Sequence, residues 1–308
     1  PFLTGPIQLD IDYSEYNDGH TVLVIDGDTS LAKVDIDLID WHKAVHEDGK
    51  FGMFLVTQAD GSVEIESFKF SSGDMNVVAR IVPKADFTEV FRIEFLELRF
   101  AENELRGVVD ALPEGGYRIV LDGNRLDVAP LLKKRRLPNV SYAPETQGVP
   151  LIIQANIVEV TDGPNRRLAN VAVNARFDGQ DWQAVIIDAE VGGSGHLDLK
   201  YQPTDSGHSL QITSDDAGQA LKSLNWTDRA QNGALAVSGV RTSLLDPMVG
   251  NFKVTDYRLI EAPVLARLLQ VASLTGILSA LGQGGGLDFV TLDGEFSYLQ
   301  GNLKIKNA

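Results

Sequence analysis

The chain has 308 residues, 44% hydrophobic and 23% charged, the balance of a soluble folded protein with enough apolar mass to bury a core. Its 43 acidic and 27 basic residues give a net charge of −16, and so acidic a surface repels phosphate backbones and excludes nucleic acid as a partner. The absence of cysteine excludes a disulfide framework, a thiolate metal site and a cysteine nucleophile, and suits an oxidising compartment.

In chain order, Ile7, Leu9 and Ile11 alternate with Gln8, Asp10 and Asp12, predicting a strand with one apolar and one acidic face. Val34, Ile36 and Leu38 repeat the pattern, and Asp26, Gly27 and Asp28 between them read as a hairpin turn. Asp60 and Gly61 make the next turn. Val63 and Ile65, then Phe68 and Phe70, predict a strand with a phase slip. Phe91, Ile93 and Phe95 give way to Leu96, Leu98 and Phe100, and the change of phase predicts a bulge. Leu105, Val109, Tyr117, Ile119 and Leu121 continue the meander to a short helix at 126–132 and a basic run, Lys133, Lys134, Arg135 and Arg136. Residues 137–150 carry three prolines and little periodicity, which predicts a linker between a first β module (1–136) and a second (151–308).

Strands resume at 151–160 and 168–177, turn at Asp178 and Gly179, and continue from Trp182 to Ile187. Leu197 and Leu199, then Leu210 and Ile212, mark further hairpins before a short helix at 217–224. Residues 104–132 and 195–224 share one order of strand, turn, strand and short helix, a weak internal repeat consistent with duplicated β modules. At 251–259 (NFKVTDYRL), Phe252 and Val254 alternate with polar residues, and Tyr257 and Leu259 resume one position out of phase, predicting a bulge near Asp256. Pro263 suits a helix start; the apolar run 262–281 contains Arg267, Gln270 and Gly276, and so predicts an amphipathic helix pair over the sheet, stopped by the glycines of 282–286. Leu287 and Phe289, Phe296 and Tyr298, and Leu303 and Ile305 return to period two. The expected fold is mainly β, with about twenty strands and a few short helices.

The order of elements over 251–306 resembles the C-terminal region of AsmA-like envelope proteins of the YhdP and TamB type, and the looser pattern from Leu151 onward also fits. The resemblance implies a long, curved antiparallel sheet left open as a groove, whose concave face holds phospholipid acyl chains. It further implies a periplasmic location in a Gram-negative envelope, an inner-membrane anchor outside this stretch, and phospholipid transfer between membranes that supports outer-membrane biogenesis. Phospholipid and inner- and outer-membrane proteins are the implied partners; no cofactor, metal or catalytic residue is expected. On this reading the groove is lined by Ile7, Leu9, Ile11, Val34, Ile36 and Leu38, by Phe91, Ile93 and Phe95, by Leu197 and Leu199, and by Phe252, Val254, Leu287, Phe289, Phe296 and Tyr298. Such a wall accepts hydrocarbon at about 0.8 kcal/mol per CH₂ without directional contacts, so a chain can slide along it. The same alternation also fits a closed sandwich or solenoid, which would act as a scaffold for envelope proteins in outer-membrane assembly or adhesion.

Other motifs carry less. His42 and His46 would share a helical face and could ligate zinc, yet Lys43 stands where a zinc protease has its glutamate, so a solvated turn is expected. Asp26 with Asp28, and Asp215 with Asp216, lack a calcium-loop continuation and read as turns. The glycines of 282–286 trail a helix instead of leading one, unlike a phosphate cradle. Lys133 to Arg136 could meet anionic head groups, against the plainer reading of a solvated charge run. Trp182 and Trp226 are expected in the core or groove wall.

Overall fold

The computed structural model describes residues 2–84, 89–135, 148–243, 245–260, 286–299 and 301–306. The chain divides into two compact units, Pro1–Gly163 and Pro164–Ala308. No described helix is long and apolar enough to cross a membrane.

The first unit contains β1 (Leu3–Thr4), β2 (Gln8–Glu15), β3 (Thr21–Asp28), β4 (Lys33–Ile36), a 3-10 turn (Asp37–Ile39), β5 (Trp41–Lys43), β6 (Lys50–Thr57), β7 (Val63–Ser72) and β8 (Met75–Pro83). These are followed by β9 (Val90–Phe100), β10 (Asn103–Ala111), β11 (Tyr117–Asp127), α1 (Ala129–Arg135) and β12 (Leu151–Thr161). The main sheet runs β2-β3-β6-β7-β8-β9-β10-β11-β12, and every neighbour is antiparallel except the parallel pair β11–β12. A parallel pair needs a crossover, and the chain between β11 and β12, beginning with α1, supplies it. β12 therefore groups with the first unit, which runs to Gly163. Residues 137–147 of the expected linker lie outside the described residues.

Pairing register turns the period-two patterns into three ribs that cross all nine strands on one face. The first joins Leu9, Gly27, Phe51, Phe70, Val77, Leu98, Leu105, Gly123 and Ile157. The middle rib joins Ile11, Ile25, Met53, Phe68, Ala79, Phe95, Gly107, Leu121 and Ala155. The far rib joins Tyr13, Leu23, Leu55, Ile65, Ile81, Ile93, Val109, Ile119 and Ile153. Bulges keep the ribs in line: the register shifts between Ile65 and Phe68, and again opposite Phe95 and Leu98, at the two phase slips legible in the sequence. The opposite face is polar, with cross-strand ion pairs Arg80–Glu94 at 3.6 Å and Arg92–Asp110 at 2.8 Å.

β1, β4 and β5 form a separate three-stranded sheet that caps one end of the apolar face. Its core joins Val34 and Trp41 to Met75 and Phe100, with Phe70, Val77 and Leu98 of the first rib packed against them. Four groove assignments change here. Val34 and Ile36 belong to β4 of the cap, where Val34 is buried; Leu38 lies in the 3-10 turn; and Ile7 precedes β2. The reason is that a short strand flanked by a tight turn cannot join the long ladder, although its alternation looks the same. Asp26, Gly27 and Asp28 are likewise not a turn but the end of β3, where a Cβ on Gly27 would sit 2.1 Å from the Phe51 ring. This glycine provides close approach for an aromatic side chain on the neighbouring strand.

The second unit contains β13 (Arg167–Phe177), β14 (Trp182–Val191), β15 (Gly195–Thr204), β16 (Gly207–Ser214), α2 (Ala217–Ser223), β17 (Ala230–Gln231), β18 (Ala234–Arg241), β19 (Met248–Leu259), β20 (Leu287–Leu299) and β21 (Asn302–Lys306). Its antiparallel sheet runs β13-β14-β15-β16-β18-β19-β20-β21, with β17 also paired to β19. Asp256 has φ 52° and interrupts β19 where the phase changes. β10-β11-α1 and β15-β16-α2 repeat one hairpin-helix unit, as the sequence repeat predicts. Asp216 caps α2 by accepting the Gln219 N–H at 3.0 Å. α2 buries Ala217 and Ala220 over Val191, Leu197, Leu235 and Val254, closing one end of this apolar face. The fold is thus mainly β, with long, mostly antiparallel sheet that is not closed into a barrel.

Candidate functional site

In the first unit the apolar face passes from buried to open along the strands. Phe100 and Leu105 at the capped end are buried, whereas no member of the far rib is. The cap cluster takes in three members of the first rib and none of the far rib. Ile11 and Tyr13 on β2 are 53% and 62% exposed, and Phe91 on β9 is 56% exposed. The far rib is hydrocarbon apart from the Tyr13 hydroxyl, so the surface it presents attracts apolar matter with little orientational demand.

The predicted lining residues divide accordingly. Leu9 and Ile11 lie on this face at the sheet edge, and Ile93 and Phe95 lie on it in β9, while Phe91 falls at the register shift between Val90 and Arg92. In the second unit, Leu199 and Phe252 share a rib with Val173, Ile187, Ile212 and Val237. Leu197 and Val254 are buried beneath α2, at 1% and 5% exposure, and are core instead of open lining. Phe289 stacks on Tyr257 at 5.2 Å, and burial raises the Tyr257 hydroxyl pKa. Phe296 is also a core residue, its ring lying over Gly239. Leu287 is half-buried at the start of β20, and Tyr298 is exposed near the β21 edge. Lys133, Lys134 and Arg135 fall in the last turn of α1, with side chains outside the described residues, as is all of Arg136. The expected helix pair at 262–281 also lies outside them.

The sequence missed Leu23, Ile25, Met53 and Leu55 on this face. Their strands read as continuous apolar runs (TVLVI and FGMFLV), so periodicity could not say which side chains face which way.

The polar candidates hold the fold together. His42 lies in β5, not on a helix, with Nδ1 2.9 Å from Asp35 Oδ1; His46 sits beyond it in a turn at φ 74°, so the two do not share a helical face. Asp215 accepts the His196 N–H and Asp216 caps α2. Asp188, His196 and Asp198 bring three ligand atoms within 4.8 Å of one another on the polar face, but His196 pairs with Asp188 at 3.1 Å and Lys200 with Asp198 at 3.0 Å. Trp226, expected in the core or the groove wall, is 52% exposed. A hollow of 690 Å³ opens among Gln211, Ser238, Asn251, Glu295 and Lys306, whose side chains belong to the polar face, and so does not extend the apolar surface.

One polar cluster does lie on the apolar face. On the inward-facing positions of β14–β16 and β18–β20, Arg241 is the single arginine or lysine among the described residues. It is paired across the ladder with His208, and its guanidinium carbon stands 5.2 Å from the Tyr201 ring centre. Its Nη2 donates to the Asp181 carboxylate and the Tyr201 hydroxyl. His208 stacks on Tyr201 with ring centres 4.9 Å apart. Burial raises the Tyr201 hydroxyl pKa, partly offset by the neighbouring Arg241 charge.

No family model, curated protein or solved structure matches the chain.

Proposed function

We propose that the protein binds phospholipid acyl chains on its apolar sheet faces and passes them between membranes of a Gram-negative envelope, without catalysing a reaction. The observation that carries this reading is the far rib of the first unit: nine register-aligned side chains, Tyr13 to Ile153, none of them buried. Leaving such a row in water costs about 25 cal/mol per Å² of apolar area, and hydrocarbon laid along it recovers that cost. Because the lining repeats at each strand, about 4.8 Å apart, the binding energy stays nearly level along the face and a tail can advance without leaving it. The resemblance of 251–306 to AsmA-like proteins supports the same reading, including the periplasmic setting.

The test is site-specific photocrosslinking. A photoreactive residue at Ile93 or Ile119 should yield phospholipid adducts in gently purified protein, and one at Arg92 or Arg118 on the polar face should not. Equal yields on both faces, or none on either, would remove the proposal.

A further inference from the structure

The apolar face of the second unit carries one cationic cluster, and the proposed acyl-chain binding does not account for it. A cation beside an apolar rib is costly unless its hydrogen bonds are filled. Those of Arg241 are filled only in part. Nη2 is taken by Asp181 and Tyr201, while Arg241 Nε is buried with no hydrogen-bond partner, and so is Nε2 of His208. Both nitrogens lie on side chains directly paired across β16 and β18, flanking one tyrosine ring. Buried polar nitrogens without partners are uncommon in native folds and call for an acceptor. Arg241 keeps 18% side-chain exposure, so part of the side chain meets solvent although Nε itself is covered.

The surroundings select the kind of acceptor. The rib next to Arg241 and His208 is Ala175, Val185, Tyr201, Leu210, Gly239, Gly250, Phe296 and Ile305, which is apolar apart from the tyrosine hydroxyl. Asp181 and Tyr201 hold the guanidinium through Nη2, and Nε is left for a second anion. A molecule matching both features has a hydrocarbon tail and an anionic oxygen at its head.

We infer that Arg241, His208 and Tyr201 form a subsite for the anionic phosphate head group of a lipid whose tail lies on the adjoining apolar ribs. The subsite rests on the acyl-chain reading above and adds head-group selectivity to it. Arg241 and His208 donate to the phosphate oxygens, Tyr201 holds both side chains in place, and Asp181 orients the guanidinium. A neutral head group would leave the two nitrogens unfilled and bind less tightly.

Calorimetry on the full chain tests this with lysophosphatidate, the monoacylglycerol of the same acyl chain, and inorganic phosphate, each amphiphile below its critical micelle concentration. The protein should bind lysophosphatidate about tenfold more tightly than the monoacylglycerol, the scale of one charge-assisted hydrogen bond. Arg241→Gln should bring that ratio close to one. His208→Phe keeps the aromatic stack and removes the free nitrogen; it should lower the ratio by about threefold, which preserves the test if Arg241→Gln does not fold. A wild-type ratio near one, with both amphiphiles bound, overturns the subsite alone. A ratio unchanged in both variants does the same, and inorganic phosphate binding as tightly as lysophosphatidate makes this a free-phosphate site. If neither amphiphile binds, the acyl-chain reading falls, and the subsite with it.

Discussion

The Trp41 indole N–H donates to Asp74 Oδ1 at 3.0 Å, and the second oxygen of that carboxylate accepts the Ala101 N–H at 3.1 Å. Asp74 sits in the β7–β8 turn and Ala101 in the β9–β10 turn at φ 47°, so one carboxylate ties the cap to two hairpins of the main sheet. Trp41 also packs edge-on against Phe70, with ring centres 6.0 Å apart. Trp41→Phe should keep most of the packing and lose about 1–2 kcal/mol through the stranded carboxylate oxygen. Trp41→Ala should lose about 3–5 kcal/mol. Urea unfolding of both variants checks the order; equal losses would mean the ring packing adds nothing to the hydrogen bond, and an unchanged Trp41→Phe midpoint would mean the hydrogen bond contributes nothing.

Lys43 is fully buried in the cap, and its Nζ donates to the carbonyls of Thr29, Ala32 and Ala44 at 2.8, 2.9 and 3.1 Å. Lys43→Met has similar bulk but leaves three carbonyls without that donor, and is expected to cost roughly 3 kcal/mol or more. Protease nicking between β3 and β6 should rise in parallel. Wild-type resistance in the variant would show that the carbonyls find other donors.

Charges placed on the apolar face should act differently along the strands. Leu197→Asp puts a carboxylate under α2, where exposure is 1%, and should cost roughly 4 kcal/mol or more, enough to unfold a marginal domain. Ile119→Asp lies on the half-exposed far rib, so the chain should stay folded with unchanged circular dichroism and lose its lipid adducts. A folded Ile119→Asp variant that retains its lipid would place the ligand elsewhere.

Asp178 accepts N–H bonds from Gln180 and Asp181 at 2.8 and 2.9 Å and from the Gln183 amide at 2.7 Å, shaping the turn that carries Asp181 to Arg241. The Asp181 backbone bond, then that from Gln180, holds the Asp178 carboxyl below its ordinary value, against a smaller opposing effect of desolvation. A depressed folded-state pKa contributes stability that is present above the unfolded value, about 3.9, and is lost as pH falls through the folded value. Asp178→Asn should therefore lower the urea midpoint at pH 7 and approach wild type at about pH 2, where the native carboxyl is also protonated. A variant deficit that grows on acidification would contradict the assignment.

The alternation of Phe91, Ile93 and Phe95 with polar neighbours, and the phase slips in β7, β9 and β19, follow from the chemistry of a pleated strand, where side chains one residue apart face opposite ways. The repeated hairpin and short helix were legible for the same reason, since turn residues and a capping aspartate act over a few positions. Local pattern also misled: Val34 and Ile36 alternate as convincingly as Leu9 and Ile11, yet they form the cap. Burial depends on which strands meet, and pairing is a long-range event with no local signature.

The sequence by itself determined a mainly β chain with one oily and one acidic side to its strands, because period and turn chemistry are local. Only the tertiary structure decided which oily residues are sealed beneath caps and which stand open, and that Asp181, Tyr201, His208 and Arg241, up to 60 positions apart, meet on one face. Ladder register brings them together, and register is set by the whole sheet and not by any one strand.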